Sequence, residues 1–167
     1  SSSYTDAKNN LTITQTANMP NEDTVTFTLA AADGGSIKAS TVLRLRRPDW
    51  LAGEAVIKVN GKEITLEEEN GYYNVKNLKA GDEISYKMPM TVQVYDMPDN
   101  PNLVAFKYGP VVLSAGLGSD NIERSAANGI LVRVGTLDPD AKTTILMENY
   151  TDVEEWKADV EENVVRI

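Results

Sequence analysis

The chain has 167 residues, with 16 Lys and Arg against 25 Asp and Glu, a formal net charge of −9. A field of that sign repels phosphate backbones and anionic bilayers, so neither nucleic acid nor a membrane surface is an expected partner. Cys and His are both absent, which removes disulfides, thiolate and imidazole metal sites, a cysteine nucleophile and the usual general base near neutral pH. Carboxylates, Lys, Tyr and hydroxyls remain, so the expectation is no catalytic residues and no cofactor in this chain.

The sequence opens on Ser1-Ser2-Ser3 without a charged-then-apolar leader, and is expected to continue upstream. Period-two alternation, which lines one face of a strand with apolar side chains, begins at Leu11 and Ile13. It returns where Val25, Phe27 and Leu29 alternate with Thr24, Thr26 and Thr28. Past the turn material Asp33-Gly34-Gly35, Leu43 and Leu45 alternate with Arg44 and Arg46, until Pro48 withholds the N–H that a ladder needs. The run 55–59, then Asn60-Gly61, then 62–66 predicts a two-residue hairpin, because Asn-Gly accepts the positive φ angles of a type I′ turn. Counting outward pairs Val59 with Lys62, Lys58 with Glu63 and Ile57 with Ile64, with charges on one face and both Ile on the other.

Further strands are predicted at 72–75, 83–87, 91–95, 103–107 and 111–113. Turn signals recur every eight to twelve residues or so, the spacing of a sandwich or barrel. Weaker strand-like runs follow at 130–134 and 143–147. A short helix is predicted at 152–160: Thr151 or Asp152 caps it, and Val153, Trp156 and Val160 share a face. The fold expected is all-β, a two-sheet antiparallel sandwich of jelly-roll or immunoglobulin-like type with one short C-terminal helix. Residues 1–118 form the sandwich, and 119–167 supply additional strands and the helix, as a truncated second module or a return of the first. The end, Val164-Val165-Arg166-Ile167, reads as a strand cut short.

Four strings in order resemble the β-sandwich that follows the catalytic barrel in the β-L-arabinofuranosidase family of glycoside hydrolases, family 127. They are Leu43-Arg44-Leu45-Arg46-Arg47-Pro48-Asp49-Trp50, then Val59-Asn60-Gly61, then Gly81-Asp82 leading to Met88-Pro89-Met90, then Val104 to Leu113 with Gly109-Pro110 inside it. The resemblance spans roughly residues 10–117. It implies an upstream helical catalytic domain in the same polypeptide, where the family uses a cysteine nucleophile beside a zinc ion held by cysteines and a glutamate. None of those residues carries over, because this chain has no Cys. Leu78 stands where the family often has an aromatic before Gly-Asp. The resemblance further implies a periplasmic or extracellular setting and a plant-type oligosaccharide as a partner of the parent enzyme.

The candidate contact residues for sugar or for a domain interface are Trp50, Tyr72, Tyr73, Arg44 and Arg46. Aromatics stack on sugar faces, yet Trp, Tyr and Arg are also the usual anchors of protein interfaces, the reading preferred here. Tyr95 and Tyr108 belong to the same set. Arg44, Arg46 and Arg47 are the concentrated positive charge and are read as docking acidic groups of a neighbouring domain. The oxygen-rich stretch 96–102 could be a calcium loop, but lacks EF-hand spacing and holds two Pro, so a rigid strand connection is preferred. Glu67-Glu68-Glu69 is read as a solvated loop, since adjacent residues point different ways and seldom form a catalytic pair. Asn10-Leu11-Thr12 and Asn149-Tyr150-Thr151 fit the glycosylation sequon. Three functions follow from these residues: an accessory sandwich supporting the barrel (favoured), a carbohydrate-binding module, or an immunoglobulin-like spacer of a surface protein.

Overall fold

The computed structural model describes residues 1–113, 122–127 and 130–135, with the isolated positions Glu155 and Ala158. In chain order the strands are β1 (Ser2–Asp6), β2 (Leu11–Ala17), β3 (Thr24–Ala31), β4 (Leu43–Arg46), β5 (Val56–Val59), β6 (Lys62–Glu63) and β7 (Glu68–Glu69). They continue as β8 (Tyr72–Val75), β9 (Glu83–Lys87), β10 (Val92–Met97), β11 (Asn100–Tyr108), β12 (Val111–Val112), β13 (Ile122–Ala127) and β14 (Ile130–Gly135). Every strand pairing is antiparallel.

A six-stranded sheet runs β1-β2-β3-β9-β5-β6 and a three-stranded one β4-β8-β7. One apolar cluster joins them. Leu11, Val25, Leu29, Ile57, Ile84 and Tyr86 come from the larger sheet, and Leu45, Tyr73 and Val75 from the smaller. The alternation read from the sequence explains this: each strand turns its apolar parity inward and its Thr, Arg or Lys outward. Ile57 and Ile84 are completely buried, and burial of such a side chain contributes about 1.5–3 kcal/mol. Tyr86 crosses between the layers, its hydroxyl donating to the Arg46 carbonyl at 3.0 Å. Burial pushes its phenol up to about 12.

Beyond this sandwich lie a sheet of order β10-β11-β12 and a β13-β14 pair. The Gln93 amide donates to the Trp50 carbonyl at 3.4 Å, tying β10 to the sandwich.

The Asn60-Gly61 hairpin has the expected register, with Lys58 opposite Glu63 and Val59 opposite Lys62. Ile64 N–H still donates to the Ile57 carbonyl at 3.0 Å. Three strands were not expected. β1 is almost wholly polar and exposed; cross-strand hydroxyl contacts, Ser3 with Thr14 at 3.2 Å and Thr5 with Thr12 at 3.0 Å, join it to β2. β7 falls in the Glu67–Glu69 run, and β13 on a segment without alternation. The stretch 96–102 is a strand connection, tighter than expected: Asp96 ends a regular ladder, the register shifts, and Met97 pairs with Asn100 around Pro98-Asp99. The strand expected at 143–147 lies outside the described residues, as does the helix at 152–160 apart from positions 155 and 158.

Candidate functional site

The five contact candidates do not gather into one site. Tyr73 faces the core, 6% exposed, and meets Tyr86 edge-on with centroids 6.1 Å apart. Trp50 is half-buried and packs against the same core. Tyr73 therefore offers no free ring face to a sugar.

Tyr72 is on the opposite parity of β8, 38% exposed, and the Arg44 guanidinium lies over its ring at 4.8 Å. That cation–π contact joins two candidates and occupies one face of the ring. Arg44 also donates to the Glu69 carbonyl at 3.4 Å. Arg46 is exposed on the same outer face, opposite Tyr72 in the ladder. Asn74 and Lys76 complete the face, bonded to Glu69 and Glu67 respectively. Glu67 holds the Lys76 ammonium above its ordinary pKa, chiefly by that hydrogen bond. Among the described residues neither Arg44 nor Arg46 of β4 forms an ion pair; the acidic run meets Arg44 through the Glu69 carbonyl and pairs by charge with Lys76 and Arg47. Tyr95 is exposed, with Lys107 over its ring at 4.8 Å.

The acidic run is not a loop. Glu68 pairs with Tyr73 and Glu69 with Tyr72 around Asn70-Gly71, whose φ angles of 52° and 78° equal those of Asn60 and Gly61. A second Asn-Gly hairpin therefore sits where the charge run masked it. Arg47 pairs with Glu68 at 3.5 Å. Among the described residues no group of three or more acidic side chains is close enough to hold a metal ion.

Sequence reasoning missed a buried polar lock. Asp82 is 7% exposed and accepts from Asn60 Nδ2 at 2.8 Å and from Lys79 N–H at 2.7 Å. Asn60 Oδ1 in turn accepts from Glu83 N–H at 2.9 Å. The Asn-Gly and Gly-Asp strings, 22 residues apart, are two halves of one network. Likewise Gly109, at φ 53°, packs so closely on Met90 that a β-carbon there would overlap Sδ.

The Asn10 sequon is already engaged. Its Nδ2 donates to Asp33 Oδ1 at 2.6 Å and to the Ser36 carbonyl at 2.9 Å. Hydrogen bonds from Gly35 N–H and Asn10 hold the Asp33 carboxyl below its ordinary range. Asn149 lies outside the described residues.

The family described as beta-L-arabinofuranosidase, GH127 middle domain, matches residues 1–90. No curated protein matches the chain. Among solved structures, the chain is similar to a GH127 beta-L-arabinofuranosidase from Geobacillus stearothermophilus, at 29% identity and TM-score 0.51, covering 61% of this chain and 16% of that one. A structure described as a glycoside hydrolase is 25% identical over 74% of this chain and 24% of its own, with TM-score 0.50. A GH127 beta-arabinofuranosidase at 19% identity shares the fold alone, with TM-score 0.50 over 61% of this chain and 19% of its own. The chain thus spans 16 to 24% of the length of these structures. Strands β1 to β9 and the core they enclose all lie within the matched residues, and on that match the chain belongs to the GH127 middle-domain family.

Proposed function

We propose that this chain is a non-catalytic accessory domain of a larger glycoside hydrolase, supporting a helical catalytic domain in the same polypeptide. The observation that carries the reading is the match to a middle domain over residues 1–90. Residue use agrees with it. Tyr73, Trp50 and Asp82 serve the core and its lock. Exposed apolar side chains, Val94 and Val112 among them, remain for contact with other polypeptide.

Two assays test the proposal. The purified chain is expected to leave an aryl β-L-arabinofuranoside uncleaved. Turnover abolished by a single substitution such as Glu68→Gln overturns the reading. Added in trans to the helical domain of its own polypeptide, the chain is expected to raise that domain's Tm by a few degrees, as binding to a folded state does. An unchanged Tm at saturating chain rejects the supporting role.

A further inference from the structure

The small sheet turns Leu45, Tyr73 and Val75 into the core and leaves its other face open. Alternation along the strands puts Val42, Arg44 and Arg46 in one row of that face and Tyr72, Asn74 and Lys76 in the next. Glu67 and Glu69 border the far side, bonded to Lys76 and Asn74. Charge is thus sorted across the face, with guanidinium groups on the edge strand β4, carboxylates toward β7 and the Tyr72 ring between them. Val42 is 42% and Tyr72 38% exposed. Arg44 and Arg46 form no ion pair among the described residues.

A segment of the same chain carries the matching pattern. Residues 151–162 hold Asp152, Glu154, Glu155, Asp159, Glu161 and Glu162 against Lys157 alone, a net charge of −5 within the chain's −9. Wound as the helix predicted for 152–160, the segment lines up Val153, Trp156 and Val160 in one stripe. Asp152 and Asp159 then flank the stripe on one side and Lys157 on the other. Glu155 and Ala158 are helical and exposed, and both positions fall on the side of the helix away from that stripe. We infer that this helix packs on the open face of β4 and β8, with Trp156 over Val42 and Tyr72, the two Asp beside Arg44 and Arg46, and Lys157 toward Glu69. From Asp152 to Asp159 a helix advances about 10 Å, and Val42 to Arg46 covers about 13 Å of strand, so both carboxylates fit along the β4 row. Even without β13 and β14, residues 114–121 and 136–150 reach up to about 75 Å when extended, enough to deliver the helix. Val94 and Val112 are also exposed, but Asp96 and Asp99 on that sheet oppose an acidic segment. The packing makes residues 119–167 a return of the first module, and it does not depend on the accessory-domain reading.

The chain has no Cys, so Ala158→Cys, at an exposed position, takes a single nitroxide label. Amide NMR of the full-length chain then reads which residues the label broadens. The expected result is broadening at residues 42–46 and 72–76 that disappears when the nitroxide is reduced. Raising salt to about 1 M shortens the Debye length to about 3 Å and should weaken the broadening. Arg44→Gln combined with Arg46→Gln should lower docking by about two-fold or more, and Trp156→Ala by about ten-fold. Both should leave the core amides at 25–29 and 84–86 unshifted. No broadening on this face, broadening on β10-β11-β12 instead, or broadening that persists in both variants overturns the inference. Isotope-labelled chain without nitroxide, mixed with nitroxide-bearing chain at natural abundance, tests the other occupant. Broadening in that mixture assigns the face to a second copy and overturns the packing within one chain.

Discussion

Two hairpins of this domain turn on the same dipeptide with the same φ angles, yet they are held in different ways. The Asn60-Gly61 turn projects its Asn side chain into a buried carboxylate, and its strands belong to the large sheet. The Asn70-Gly71 turn is fully exposed, its Asn side chain makes no hydrogen bond among the described residues, and its strands carry the charged outer face. Local turn chemistry is therefore enough to shape a hairpin, and tertiary contacts decide how much stability depends on it.

Breaking the lock should have the largest effect. Asp82→Ala removes the buried carboxylate that accepts from Asn60 Nδ2 and Lys79 N–H, two part-buried bonds to a charged group, and is expected to cost about 3 kcal/mol in urea unfolding. Asn60→Gly retains the turn and loses only the side-chain bonds, so about 2 kcal/mol should go; Asn70→Gly, the same change in the other hairpin, should cost under about 0.5 kcal/mol. Equal losses at the two sites would show that the lock adds nothing to the turn. Gly61→Ala and Gly71→Ala should instead behave alike, each losing about 1 kcal/mol, because both sit at φ 78° with open space around them and only backbone strain is added.

Alkaline unfolding separates the core from the charged face. The folded Tyr86 phenol keeps its proton up to about pH 12, while the unfolded one releases it near 10.0. The unfolded chain sheds its proton first, so stability should fall as pH rises between those values, and Tyr86→Phe should flatten that fall. The smallest effect is expected on the outer face. Lys76→Met removes an exposed ion pair with Glu67 and should lower the midpoint at neutral pH only slightly. The raised Lys76 pKa adds a contribution that is present at neutral pH and fades above the ordinary lysine value.

The sandwich was legible because its apolar side chains alternate: Val25-Phe27-Leu29 and Leu43-Leu45 announce both the strands and their inner faces. β1 was not, since Ser2 to Asp6 carries one apolar residue, Tyr4, and that is 68% exposed. Edge pairing through hydroxyls leaves no periodic trace. β7 was hidden by three consecutive Glu, although the Asn70-Gly71 behind them carried the same signal that was read at Asn60-Gly61. Among the candidate contact residues, residue type alone ranked Tyr72 and Tyr73 together. Parity separates them: Tyr73 is two residues from Val75, on the core side, and Tyr72 is on the other. The Asp82 lock could not be read, because its halves are joined only by the neighbouring positions of β5 and β9 in the sheet.

Met90 is the last residue of the family match, and Gly109 packs on its sulfur from the strand connection beyond. Trimming the polypeptide at residue 90 would strip that cover and also remove Val92, which is 1% exposed. Anyone grafting this module onto another enzyme should therefore set the downstream junction past Leu113, whose N–H still closes on Phe106 at 2.8 Å.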